Sequence, residues 1–127
     1  MKAFLLSLLL AAAPPAPFVL PLSNGLYILI DESARPRRVM TSQQQAAADL
    51  KAWSTGRDIY TSLCSRCHGA DGSDRSYAGG NVKPVNRLGH RYSEAELLER
   101  TESTGTVDLS NLDARLRHAL AVYVLSL

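Results

Sequence analysis

The stretch STGRDIYTSLCSRCH, residues 54–68, predicts a helix that runs into a pair of cysteines. The small and apolar residues before the cysteines recur at three- and four-residue intervals: Gly56, Ile59, Tyr60 and Leu63. This spacing places them on one face of an α-helix. Ser54 is a start signal for that helix. Upstream, Ala46–Trp53 is also helix-prone, with Thr41 or Ser42 as its cap.

The string Cys64-Ser65-Arg66-Cys67-His68 has the spacing of a c-type haem attachment site. Two thiols three residues apart can each add to one vinyl group of a haem, and the adjacent histidine can donate a ring nitrogen to the iron. The chain has 2 cysteines, so no third cysteine can draw one of them into a structural disulfide. We expect one covalent haem c, held by Cys64 and Cys67, with His68 as the proximal axial ligand.

Two other uses of the cysteines are weaker alternatives. A thiol–disulfide redox pair expects a βαβ context, which the pattern around residue 64 lacks. Zinc needs about four ligands. Besides the cysteines, the histidines that could join are His68, His90 and His118.

The first thirty residues predict either an export signal or a membrane anchor. Lys2 followed by the uncharged Ala3–Ala13 resembles the start of a secretory signal. Ala13 and Ala16 each precede a proline, which disfavours cleavage there, whereas a cut after Gly25 remains open. Retention as an anchor needs roughly 20 apolar residues, which 3–30 could supply. Both alternatives place the rest of the chain in the periplasm, where bacterial c-haem is attached.

Residues 31–45 are polar and contain Pro36, so they predict a linker or extended arm. The segment from His68 to Pro84 is rich in turn residues. Ser93 and Glu96 form a capping box for a helix that Gly105 would end. Asp113 caps the last helix, whose apolar stripe is Leu116, Ala119, Leu120, Tyr123, Val124 and Leu127. We therefore predict an all-α haem domain of about four short helices over residues 46–127.

Residues 54–127 resemble the class I cytochrome c family in its short bacterial form. Gly56 and Tyr60 match the family's N-terminal helix, where a small residue lets the C-terminal helix cross closely, and Tyr123 matches the packing aromatic of that second helix. His68-Gly69-Ala70-Asp71-Gly72 is similar to the family's continuation after the motif. Pro84 occupies the place of a proline whose carbonyl accepts a hydrogen bond from the haem histidine, a contact that orients the ring.

The chain departs from the family at the second axial ligand of the iron. The family uses a methionine before the last helix, but the 2 methionines here are Met1 and Met40. The resemblance puts Thr106 near that place, and it leaves a five-coordinate or water-ligated iron as the leading expectation. His90 is the first protein candidate for the sixth position, and Met40 is a weaker one. Further weak candidates are Lys83, Asp108 and Asn111. We expect His118 at the surface, and Arg87 and Arg91 as contacts of the haem propionates.

The function implied by the resemblance is single-electron transfer in the periplasm to redox partner proteins. An open iron position favours one alternative, a binder or sensor of a small diatomic ligand. The polar arm at residues 31–45 favours another, a haem subunit of a larger redox complex. No second set of acid, base or nucleophile accompanies the motif, so we do not expect an enzyme. The net charge of +2 gives no sign of nucleic-acid binding.

Overall fold

The computed structural model of the protein describes residues 16–40, 42–76, 83–105 and 107–127, with the backbone alone at 38–40, 44 and 90. It begins with a three-stranded antiparallel sheet in the order β1-β2-β3. The strands are β1 (Phe18–Pro21), β2 (Tyr27–Ile30) and β3 (Pro36–Met40). The helices follow: α1 (Gln43–Leu63), α2 (Ser65–His68), α3 (Glu94–Ser103) and α4 (Ala114–Val124). A 3₁₀ turn, Leu88–His90, precedes α3.

The prediction of an all-α domain is wrong, because residues 18–40 form a sheet. The polar arm expected at 31–45 contains β3 and the start of α1. A half-buried strand usually alternates apolar and polar residues, but β1 and β2 are apolar on both faces, so this signal is missing. The sequence feature that indicates a β-hairpin is Asn24-Gly25, which lies between two apolar runs. Gly25 lies at the turn with φ +80°.

Most of the residues predicted to cap the helices do so in the structure. Ser42 caps α1 by accepting a hydrogen bond from the Gln45 N–H. Ser93 and Glu96 form the capping box of α3, and Asp113 caps α4. The exception is Ser54, which lies inside one continuous α1 instead of starting a second helix.

The long helix α1 packs against α4, and their crossing forms the core of the protein. Gly56 is essential to it, because a Cβ at this position would lie 1.9 Å from the Ala119 carbonyl oxygen. Tyr123 of α4 fills the centre of the crossing, with ring centroids 5.2 Å from Trp53 and 5.3 Å from Tyr60. The close crossing at Gly56 and the packing role of Tyr123 are thereby confirmed.

The sheet is tied to the helices by one apolar and one polar contact region. Leu29 of β2 is fully buried and belongs to the same core as Trp53. Arg37 donates to the Asp31 carboxylate at 2.6 Å and to the Ser126 carbonyl at 3.2 Å. The Trp53 indole N–H donates to the Ser126 hydroxyl at 2.8 Å. Among the described residues, no helix is long and apolar enough to cross a bilayer.

Candidate functional site

Both cysteines lie at the corner where α1 ends and α2 begins. Cys64 is the C-cap residue of α1, and its backbone N–H donates to the Tyr60 carbonyl at 2.8 Å. The Cys64 carbonyl in turn accepts from the N–H groups of Cys67 at 3.2 Å and His68 at 3.1 Å. The backbone of the motif is therefore one hydrogen-bonded turn, and both thiols are free and partly buried.

The acidity of Cys64 bears on what the cysteine pair can do. Burial, followed by the nearby Cys67, raises the pKa of the Cys64 thiol to about 11. Cysteines that exchange disulfides work as thiolates and have a lowered pKa. A neutral Cys64 at physiological pH therefore disfavours the redox-pair alternative. It is compatible with a thiol that adds, as S–H, to a vinyl group.

His68 carries a buried ring nitrogen with no partner. Its Nδ1 atom is inaccessible to solvent and makes no hydrogen bond within the described part of the chain. Leaving such an atom unpaired costs about 1–3 kcal/mol. The hydrogen-bonding capacity of His68 Nδ1 is therefore not met by the described residues. A hydrogen bond from His68 Nδ1 to the Pro84 carbonyl is therefore not formed in this structure, and the supporting role of Pro84 stays a prediction.

The loop after the motif is held close to α1 and to the segment that follows Pro84. The hydroxyl of Tyr60, which is 1% exposed, donates to the Gly69 carbonyl at 2.7 Å. Gly69 has φ +79°, a conformation that favours glycine. Further along, the Gly72 carbonyl accepts from the Val85 N–H at 2.8 Å, so the residue after Pro84 lies against this loop.

The sequence predicts that Tyr60 lies on a helix face, but it does not predict the hydrogen bond from the Tyr60 hydroxyl to the Gly69 carbonyl. This contact joins residues nine apart in sequence. No local pattern distinguishes a packing tyrosine from one that also holds the loop after a functional motif. The one indication in the sequence is that Tyr60, on the helix face before the cysteines, carries a hydroxyl, which usually finds a hydrogen-bond partner when the ring is buried.

The other predicted contacts of the haem lie on the segment between the loop and α3. Arg87 has a left-handed backbone (φ 63°) and an exposed side chain, and its N–H donates to the Leu127 carbonyl at 2.9 Å. Arg91 is also exposed and follows the 3₁₀ turn. Their roles as propionate contacts stay predictions.

The structure leaves the sixth ligand open. The backbone of His90 lies in the 3₁₀ turn, but its side chain is outside the described atoms, as is that of Met40, and Thr106 lies outside the described residues. Asp108 and Asn111 are exposed in the loop before α4, and Lys83 is exposed in the segment before the 3₁₀ turn.

The predicted surface position of His118 is confirmed. Its side chain is 49% exposed, and its Nδ1 atom lies 2.8 Å from a carboxylate oxygen of Glu94. The described residues contain no group of three or more metal-ligating side chains, as a zinc site would need.

A cavity of about 340 Å³ lies next to this corner, below the β2–β3 turn. Its walls include Asp31, Arg57, Trp53 and Ser65, but neither cysteine and not His68. Its carboxylates and guanidinium groups form ion pairs across the wall, such as that of Arg57 with Glu32 at 2.8 Å. We assign it to the packing of the sheet on α1 and not to the candidate site.

The arrangement of the cysteines and His68 fits a covalently attached haem. The thiols are free, three residues apart and on one turn, and the histidine beside them has an unpaired buried nitrogen. Comparisons with protein families, curated proteins and solved structures find no match to this chain.

Proposed function

We propose that this protein is a monohaem c-type cytochrome that transfers single electrons in the periplasm. The observation that carries the proposal is the α1–α2 corner, which brings two free thiols and His68 onto one hydrogen-bonded turn. The resemblance of residues 54–127 to class I cytochromes c supports it. So does the close α1–α4 crossing at Gly56.

A bound haem would supply a one-electron Fe(III)/Fe(II) couple. The thiols of Cys64 and Cys67 would hold it as thioethers, and His68 would donate one ring nitrogen to the iron. The other ring nitrogen would keep a proton, and a hydrogen-bond acceptor near it would make the histidine a stronger ligand. The hydrogen bond from Tyr60 to Gly69 would keep the loop after His68 in place during repeated changes of charge.

The lack of a methionine after Cys67 leads either to a low-potential electron carrier or to the alternative function of binding a diatomic ligand. Methionine as second ligand raises the potential of a c-type haem. Without it, a histidine partner such as His90 would give a low-potential carrier. An iron with no protein ligand in this position would instead bind a diatomic molecule such as nitric oxide or carbon monoxide.

The first test is whether the haem is covalent. The full chain is produced in bacteria with an active cytochrome c maturation system, denatured in acid and examined by intact mass and by its pyridine haemochrome spectrum. We expect one haem per chain that survives denaturation, and its loss in the variant C64A/C67A. A denatured wild-type chain without haem would overturn the proposal.

The second test separates electron carrier from gas binder. Visible spectra of the ferric and ferrous protein are recorded with and without carbon monoxide. A six-coordinate low-spin spectrum that carbon monoxide leaves unchanged supports the carrier, whereas a high-spin ferrous form that shifts with the gas supports the binder. The substitution H90A tests the first candidate ligand, and H118A is the matched control because His118 is exposed and paired with Glu94.

A further inference from the structure

The sheet has a second face, turned away from the helices, whose described side chains are apolar. Residues paired in an antiparallel ladder project to the same side of the sheet. Phe18 pairs with Ile30, and Leu20 pairs with Ile28. On the other side of β2, Ile30 pairs with Pro36 and Ile28 with Val39. Among the described side chains, this outer face thus comprises five apolar positions and no charged one: Phe18, Leu20, Ile28, Ile30 and Pro36.

The opposite face of the sheet already packs on the helices. Leu29 is fully buried, and Val19 and Tyr27 pack against the same core. In contrast, Phe18 is 49% exposed and Leu20 is 46% exposed. An antiparallel sheet with one face on the core normally presents polar side chains on the other. A contiguous apolar face that meets water marks an interaction site.

The chain that enters β1 indicates what covers this face. Residues 3–13 contain no charged side chain and are apolar except for Ser7. They end just before Pro14-Pro15-Ala16-Pro17, which in an extended form spans about 12 Å at 3.1 Å per residue. By length, an apolar stretch of 11 residues is too short to cross a bilayer, and its composition favours the surface layer of a membrane. The outer face is therefore attached to a sequence with high affinity for lipid.

We propose that, in the uncleaved chain, the outer face of the sheet docks on a lipid bilayer, at the boundary between acyl chains and headgroups. Docking buries Phe18 and Leu20 in the same membrane layer that the composition of residues 3–13 favours. Because the five positions carry no charge, attraction comes from apolar burial and not from anionic lipid. This proposal is independent of the haem and holds whichever function the haem corner has.

The test is flotation of the full chain with vesicles of pure phosphatidylcholine, at low and at high salt. We expect binding that high salt does not weaken, since screening acts on charges and not on apolar contacts. The variant L20E is expected to lower the partition coefficient at least about tenfold, because it removes apolar burial and would place a carboxylate in the lipid boundary. L63E is the matched control, since Leu63 is similarly exposed (41%) but lies at the end of α1.

Several results would overturn the proposal. One is a wild-type chain that does not float with the vesicles. The others are an equal loss of binding in L63E, binding that L20E leaves unchanged, and binding that high salt removes. A wild-type dimer that L20E converts to a monomer in sedimentation would show that a second copy covers the face instead. Circular dichroism checks that L20E is folded, and F18E repeats the test on the same face should it be unfolded.

Discussion

Replacing Gly56 by alanine tests the helix crossing that positions the cysteine corner. In an isolated helix the change from glycine to alanine is stabilising by about 1 kcal/mol. Here the added Cβ would lie 1.9 Å from the Ala119 carbonyl oxygen, 2.6 Å from its carbon and 2.9 Å from the Tyr123 Cβ. Two of these atoms are backbone, so α1 and α4 must move apart by more than an ångström.

Overpacking of a well-packed core costs about 1–3 kcal/mol, and more when backbone must move. Separating the helices also loosens the packing of Tyr123 between Trp53 and Tyr60, whose ring centroids lie 5.2 and 5.3 Å from it. We therefore expect G56A to lower the free energy of unfolding by about 2–4 kcal/mol, even after the gain in helix propensity.

Urea unfolding followed by far-UV circular dichroism measures this change. The control is G105A, because a Cβ at Gly105 has no atom within 4 Å although its φ of +66° is also unfavourable for alanine. We expect a loss of about 1–2 kcal/mol for G105A, from backbone strain alone. If G56A were as stable as the wild type, or more stable by the helix-propensity gain, the close crossing would be refuted.

Two further predictions concern titratable groups. Burial raises the pKa of Asp31, but hydrogen bonds from the Arg35 N–H, the Arg37 side chain and the Ser33 N–H outweigh it and hold the pKa below 3.8. Asp31 therefore contributes stability above about pH 4 that is lost as the pH falls through its folded-state pKa. We expect urea unfolding from pH 7 to pH 2 to show a weaker acid-induced loss in D31N than in the wild type, and equal losses would contradict this assignment. Burial, the larger cause of the raised pKa of Cys64, persists without Cys67, so we expect alkylation of the haem-free C67A protein by iodoacetamide to remain slow at pH 8.5. The same measurement in urea should give the faster reaction of an ordinary thiol at pH 8.5, and fast labelling of the folded chain at that pH would contradict the burial of Cys64.

The sequence by itself predicted the haem site that we propose at the corner, and it determined most helix ends. The motif Cys64, Cys67 and His68 is defined by local spacing, and helix caps such as Ser42, Ser93 and Asp113 act through contacts within one turn. Such features need no knowledge of the rest of the chain, because the partners are within about four residues of each other.

Only the tertiary structure decided the remaining features. The sheet escaped prediction because both faces of β1 and β2 are apolar, one against the core and one exposed, so no alternation is visible. The hydrogen bond from Tyr60 to Gly69, the unpaired Nδ1 of His68 and the contact of Arg37 with Ser126 depend on how distant segments pack. Burial also sets the acidity of Cys64, because the cost of charging its thiol depends on the atoms that exclude water and not on the sequence around it.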